Sequence, residues 1–447
     1  MRHNKEEFMR TMKRVAAVAL SVVVLMTSGV SAKAAVTDVQ PAKSSSEAVL
    51  KWAKKVGEPF DEKTYANNTV SKIKLVGNYL YVADDAKHRI MKIDKKDGTI
   101  LKEQKYCDES YIQGYVSSIG YGDGKVYVGY DNGRVQAFDE NTLESLWITD
   151  ENKNAINSDF VFTNGKLYFG TTAKTTDWYD NGAPFSYYVV TTSDDDKTKP
   201  DEEKTMKKVV ESKTGKFYLK KGVVLGKYIV ISDTAGTLTM IDTTNDKVTD
   251  TKDIGEAFSG NITYDEMTGT IYFVAGTNDL YGIKVSADGK LKDEKKVRLY
   301  ETGYSSTTPE VYNGKVYVSG SKGKAFQDKG YMAVADVSSD KYKVNYTVEL
   351  SNYSQCEPTI VKTGENSVRV YFTINDEPGG IYAIEDSKDA TSATLETVYE
   401  PTGDIKNTGC MSDVVVDEDG TIYFANDSKY IMSVGKKVED TKKSDVI

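Results

Sequence analysis

Four acidic residues stand where short apolar strands are about to begin: Asp159 before Phe160, Glu310 before Val311, Glu357 before Pro358 and Asp413 before Val414. Two carboxylates about 5 to 9 Å apart are all that a retaining or inverting glycosidase requires, so these acids are candidates for cleaving a polysaccharide. The same residues would equally line a water-filled axis with no chemistry at all. Other reactions are harder to support. Only His3 and His88 occur, His3 within an N-terminal leader and His88 in the turn DDAKHRI, where it reads as an exposed turn residue rather than the base of a Ser-His-Asp triad. The chain has no Walker loop, no His-Glu-x-x-His and no Gly-x-Ser-x-Gly. Asp194, Asp195 and Asp196 open the stretch DDDKTKPDEE, but it lacks the glycine, and a terminal glutamate at the spacing, of an EF-hand calcium loop. A solvated loop is the leading reading there, with calcium the lesser one.

The elements that must carry such residues repeat. A glycine-containing turn, a short Tyr/Val strand, a second turn and a strand ending in Asp recur along the chain, best in GKVYVGYDNGRVQAFDENTLESLW at residues 124–147. Val126, Val128 and Tyr130 alternate with Tyr127 and Gly129, the period of a strand. Asn132-Gly133 predicts a two-residue hairpin turn, because both positions tolerate positive φ, so the next strand must return antiparallel. Related strand pairs fall at residues 78–94, 165–191, 226–242, 269–285, 314–336, 367–385 and 420–434. Eight copies between Ala48 and Val434 leave about 48 residues each, the span of a four-stranded blade. Seven blades are the alternative, with longer repeats.

The copy at 124–147 resembles the pyrroloquinoline-quinone-type repeat, G-x-V-Y-V-G-x-x-D-G-x-V-Y-A-L-D-x-x-T-G-x-x-x-W, and the resemblance extends at lower quality over nearly all of the chain after the leader. It implies an all-β, single β-propeller at residues 48–436 in which Trp147 of an outermost strand meets Ala137 of the strand before it. Quinone-dependent dehydrogenases of this type have adjacent cysteines and a calcium-chelating Glu/Asn/Asp set. No Cys-Cys pair occurs here, so neither the quinone nor any other cofactor is expected. The last copy stops after three strands, and Trp52 lies before the first, so residues 48–56 are expected to supply the missing strand and close the ring by joining both chain ends. An N-terminal helix carrying Trp52 is the alternative.

Residues 1–34 read as an export signal, with Arg2, Lys5, Arg10, Lys13 and Arg14 before an apolar run at 15–26 and Ala32-Lys33-Ala34 as the cleavage site. A flexible segment at 35–47 and a charged tail at 437–447 flank the propeller. The leader resembles those of Gram-positive bacteria, which implies a secreted, extracellular or wall-associated protein with no membrane insertion after cleavage. The leader holds six Lys/Arg and two Glu, so its removal takes the formal charge from −9 to −13. Such a balance disfavours nucleic acid and favours neutral or cationic partners.

Second-to-third-strand turns must all emerge at one end of a propeller, together with the connections between blades. That end receives the insertion KTTDWYDNGAP, with Trp178, Tyr179, Asp180 and Asn181, the enlarged turns holding Gln327 and Asp376-Glu377, and Tyr111 with Cys107 on a connection. These residues form the expected binding face for a protein, peptide or cell-surface glycan on a monomeric, non-enzymatic scaffold. A secreted hydrolase or lyase using the channel carboxylates is the alternative. The 31 Tyr exceed the 13 Phe, and strand tyrosines such as Tyr79, Tyr81, Tyr127, Tyr317 and Tyr423 are expected to pack blades with a wet hydroxyl end. Cys356 and Cys410 begin the innermost strands of adjacent copies, either as a disulfide or as two buried thiols.

Overall fold

The computed structural model describes residues 39–58, 70–107, 119–174, 182–194, 202–323 and 328–437. It is an eight-bladed β-propeller, each blade built on an antiparallel meander of four strands, with a fifth short strand in the sheets of blades 2 and 3. Blades 1 to 7 run in chain order from Lys74–Val76 to Leu395–Tyr399. Blade 8 holds Val415–Val416, Ile422–Ala425 and Tyr430–Lys436, and its outermost strand is Ala48–Lys55 from the other end of the chain. Trp52 therefore lies in a strand, opposite Ser433, with its indole N–H donating to the Lys95 carbonyl of blade 1 at 3.1 Å. Gly98 of blade 1 is what admits the ring, since a Cβ there would lie 2.7 Å from the indole.

One hydrophobic cluster fills each blade interface. Tyr317, Met332 and Val334 of blade 6 pack on Ile360, Val370 and Ile384 of blade 7, and the closing interface is built alike from Tyr423 and Ile431 against Leu80, Val82 and Met91. Every blade also has a register shift between its third and fourth strands, as between Ala137 and Phe138 or Leu50 and Trp52. A bulge at that place adds local twist, which lets a flat hairpin become a blade.

The tyrosines of the G-x-V-Y-V pattern differ from the expected wet-ended packing. Tyr81 donates to the Glu140 carbonyl at 2.6 Å, Tyr168 to Asp246 at 2.7 Å, Tyr317 to Asp386 at 2.8 Å and Tyr423 to the Lys95 carbonyl at 3.1 Å. Each hydroxyl reaches a polar group of the next blade, a repeated latch that Phe could not make. Lysines strengthen two of these latches, Lys166 on Asp246 at 2.7 Å and Lys315 on Asp386 at 2.9 Å. Tyr127 is an exception and donates to Gly122 within its own blade.

Two local readings change in blades 2 and 3. Of Asn132-Gly133 only Gly133 takes positive φ, +81°, and Tyr130 N–H donates to the Arg134 carbonyl, so the turn has three residues rather than two. Asn152 and Asn154 press so closely on Gly133 that no side chain fits. The stretch DDDKTKPDEE does not end as a loop: Glu202–Lys204 runs parallel to Ser145–Thr149 as a fifth strand on the edge of blade 2. Lys204 then lies over Trp147, which is fully buried opposite Ala137 as the repeat implies.

Candidate functional site

The axis is built by one register position. In six blades a residue of the innermost strand pairs with the repeat tyrosine of the second strand, or in blade 4 with Val230 in its place: Lys74 with Tyr81, Val161 with Tyr168, Val223 with Val230, Glu310 with Tyr317, Thr359 with Tyr371 and Val415 with Tyr423. Two residues earlier the chain enters each strand from the end bearing the blade connections, and there stand Lys72, Asp159, Lys221, Thr308, Glu357 and Asp413. One residue before these, Ser71, Ser158, Cys356 and Ser412 accept a backbone N–H from the neighbouring strand at 2.7 to 3.2 Å, which pins the entry. The four sequence-predicted acids are thus brought to one ring, with Glu310 one step deeper than the others.

Lysines complete the ring. Lys72 pairs with Asp413 at 2.8 Å, and Lys221 of blade 4 reaches Glu357 of blade 7 at 2.9 Å, a bridge between blades three apart in the ring. Backbone N–H groups join the neighbours: Glu357 donates to Asp413 at 2.8 Å and Lys221 to Asn261 at 2.9 Å. Water reaches the cluster, since these four paired side chains keep 18 to 36% of their exposure. Sequence reading missed Lys72, Lys74 and Lys221, although Lys72 and Lys221 share the offset of Asp159, Glu357 and Asp413 from the strand residue.

Electrostatics divide the acids. Burial, then the adjacent Glu357, pushes the Glu310 carboxyl well above the usual carboxylate range, so it holds its proton and contacts Glu357 as a neutral partner. Burial opposes ionisation of Glu357 as well, but Lys221 and Lys72 outweigh it and hold that carboxyl low. Burial raises Asp413, with Lys72 opposing. Burial also works against the Lys72 ammonium, yet Asp413, Asp159 and Glu357 raise it above its ordinary value. Next to the ring, Lys220 is buried and donates to the Phe258 and Gly260 carbonyls at 3.0 and 2.6 Å, and burial brings it down to about 7. Among the described residues, no group of three or more His, Cys, Asp or Glu side chains is arranged to hold a metal.

Of the expected binding face, Asp376 and Glu377 are described. They lie in the loop between Ser367–Thr373 and Ile381–Ser387, at the end of the ring where the axial entries begin. Asp376 Oδ1 accepts the Glu377 N–H at 2.9 Å, and Glu377 pairs with Lys406 of the next blade connection. Asn375 ties the same loop down by accepting the Cys410 N–H at 3.0 Å. Trp178, Tyr179, Asp180, Asn181, Tyr111 and Gln327 lie outside the described residues. Cys356 and Cys410 are two separate buried thiols, both raised first by burial, and no disulfide joins them. His88 is an exposed turn residue at φ +48°, edge-on to Tyr106.

No protein-family model matches the chain, and no curated protein matches it. Solved structures do. BamB from Moraxella catarrhalis is similar with a TM-score of 0.57 at 11% identity, over 87% of this chain and 97% of that one. The quinohemoprotein alcohol dehydrogenase ADHIIG from Pseudomonas putida HK5 gives a TM-score of 0.60 at 11% identity, over 89% and 78%. The computationally designed Ika8 protein gives 0.54 at 10%, over 83% and 97%. At such identities the likeness concerns the fold, and the fold is the eight-bladed propeller that the repeat of blade 2 implied.

Proposed function

We propose that this chain is a secreted, non-enzymatic scaffold that binds a protein, peptide or cell-surface glycan through the end of the ring bearing the blade connections. The observation that carries this reading is the state of the axial acids. Asp413 is held by Lys72, Glu357 by Lys221, and Glu310 rests against Glu357. Carboxyls in direct contact leave no room for the scissile bond, which needs them roughly 5 to 9 Å apart. Quinone chemistry is not carried over from the dehydrogenase neighbour, because a salt bridge reaches from blade 4 to blade 7 at the axis and no adjacent cysteines exist. The specificity of such a scaffold then resides in loops on a rigid frame, where the insertion at 174–184 and the turn of Asp376 and Glu377 belong.

A glycan array and a pull-down with residues 35–447 test the reading. Saturable capture of one glycan class or one protein, weakened by substitutions in the loops, supports it. Hydrolysis or elimination of a polysaccharide, lost in Glu357→Gln, overturns it in favour of the one other reading with a specific observation behind it, a protonated Glu310 poised beside an ionised Glu357.

A further inference from the structure

Seven of the eight outermost strands of the blades carry charged side chains, among them Lys102 and Glu103 in blade 1, Lys252 and Asp253 in blade 4, and Glu396 in blade 7. Charges on a sheet edge discourage another strand from pairing there. Ser145–Thr149 of blade 2 is the exception, since SLWIT holds no charged residue and ends in Trp147, Ile148 and Thr149, residue types that favour strands. That edge is also the outer edge that the chain covers with a further strand of its own. Glu202, Glu203 and Lys204 run opposite Trp147, Ile148 and Thr149, and with this strap in place all eight sheets end in a strand that carries charge. The Lys204 carbonyl accepts the Asp150 N–H at 3.0 Å, and Asp150 Oδ1 accepts the Met206 N–H at 3.0 Å. Three residues of pairing fall short of the ~5–6 of an ordinary strand, so the strap opens at a lower free energy than the blade beneath it.

We propose that the edge Ser145–Thr149 is a strand-pairing site for a second copy of this chain, and that the strap Glu202–Lys204 keeps it closed. The edge accepts a strand, because the chain's own segment already pairs with it. A second copy fits it by charge. Two uncharged edges related by a two-fold axis set no like charges opposite one another, whereas the same self-pairing at the other seven edges brings the charged side chains of both copies together. Leu146 and Ile148 are half-buried on one face of the strand and gain apolar neighbours across that axis. Outermost strands lie on the rim of a propeller, where a second ring can approach. The site rests on strand order and sequence, so failure of the scaffold reading leaves it untouched.

Sedimentation of the full chain over a concentration series tests the site in Glu203→Pro, which removes a backbone N–H from the strap and fixes its φ. The variant is expected to dimerise about tenfold or more tightly than the wild type, with hydrogen exchange at residues 145–149 slowing as the dimer fills. Adding Ile148→Lys should return it to the monomer, because each lysine then meets the charge of its copy across the pairing. If the proline variant does not fold, Glu203→Gly with Lys204→Gly loosens the strap and is read in the same way. Failure of both to fold would make the strap a part of blade 2 rather than a cover for it. That result, a folded strap variant that stays monomeric, association unchanged by Ile148→Lys, or a dimer in which residues 145–149 exchange as fast as in the monomer would each overturn the site.

Discussion

Glu310 holds its proton because ionisation would place a second negative charge against Glu357 in a dehydrated setting. A carboxyl whose folded-state pKa is raised binds its proton more tightly folded than unfolded. The stability it lends is complete below the ordinary glutamate range and drains away as pH climbs through the raised value. Lys220 acts in the opposite sense, since its ammonium is depressed to about 7 and the folded chain gains stability as pH rises past that point toward the ordinary lysine range. Comparing wild type with Glu310→Gln separates the two, because Lys220 is common to both. The amide keeps a donor for Glu357 and cannot ionise. Melting temperatures should nearly coincide at about pH 5 and diverge by about pH 9 in favour of the variant, by on the order of 1–3 kcal/mol. A constant offset at every pH would mean that Glu310 does not titrate in this range. Lys221→Met tests the bridge between blades: losing Glu357's partner should cost about 1–2 kcal/mol, less than the ~3–5 of a fully buried pair because water reaches both groups. The double variant Lys221→Met/Glu357→Leu should recover part of that loss.

At the scale of strands, Ala48–Lys55 decides whether blade 8 has an outer edge. Trp52 joins that strand to blade 1 through Gly98 and the Lys95 carbonyl, and its ring lies 6.0 Å from that of Tyr423 in its own blade. Trp52→Ala should therefore destabilise by about 3–5 kcal/mol, and deletion through residue 57 by more, read by urea unfolding. A truncated chain that unfolds at the same urea concentration would show that the strand is dispensable. This closure was legible because the last repeat was one strand short and a tryptophan stood before the first. The blade hairpins were legible for the same kind of reason: Gly turns and alternation are local signals. What was not legible is relational. The parallel strand Glu202–Lys204 depends on an edge offered by another blade, and nothing in DDDKTKPDEE announces it. The hydroxyl latches of Tyr81, Tyr317 and Tyr423 depend on which polar group the neighbouring blade presents. The four axial acids could be placed near the axis by their position before strands, but the lysine partners of Asp413 and Glu357 come from blades far along the sequence, Lys72 and Asp413 being at opposite ends of the ring's chain path.

For the whole molecule, eight similar interfaces make a rigid disc whose two ends differ. The connections between blades and the second-to-third-strand loops leave from the same end, and the axial entries start there. A frame of this kind gains nothing from long loops for its own stability, since closing a longer loop only adds entropy to be overcome. The proposed contact surface is therefore placed at the end where long loops are expected. Among the residues proposed for it, Trp178 and Tyr179 are aromatic, and aromatic anchors of this type dominate binding energy in interfaces. Once a ligand has been captured, Trp178→Ala and Tyr179→Ala should each weaken it by roughly 1–3 kcal/mol while the melting temperature stays nearly constant. Asp376→Ala should act in the same direction but less, because a part-exposed polar group at a rim contributes little alone. Isothermal titration beside thermal melts reads both quantities on the same samples. A fall in melting temperature with affinity intact would assign the two aromatics to packing between loops and move the contact surface away from the insertion of blade 3.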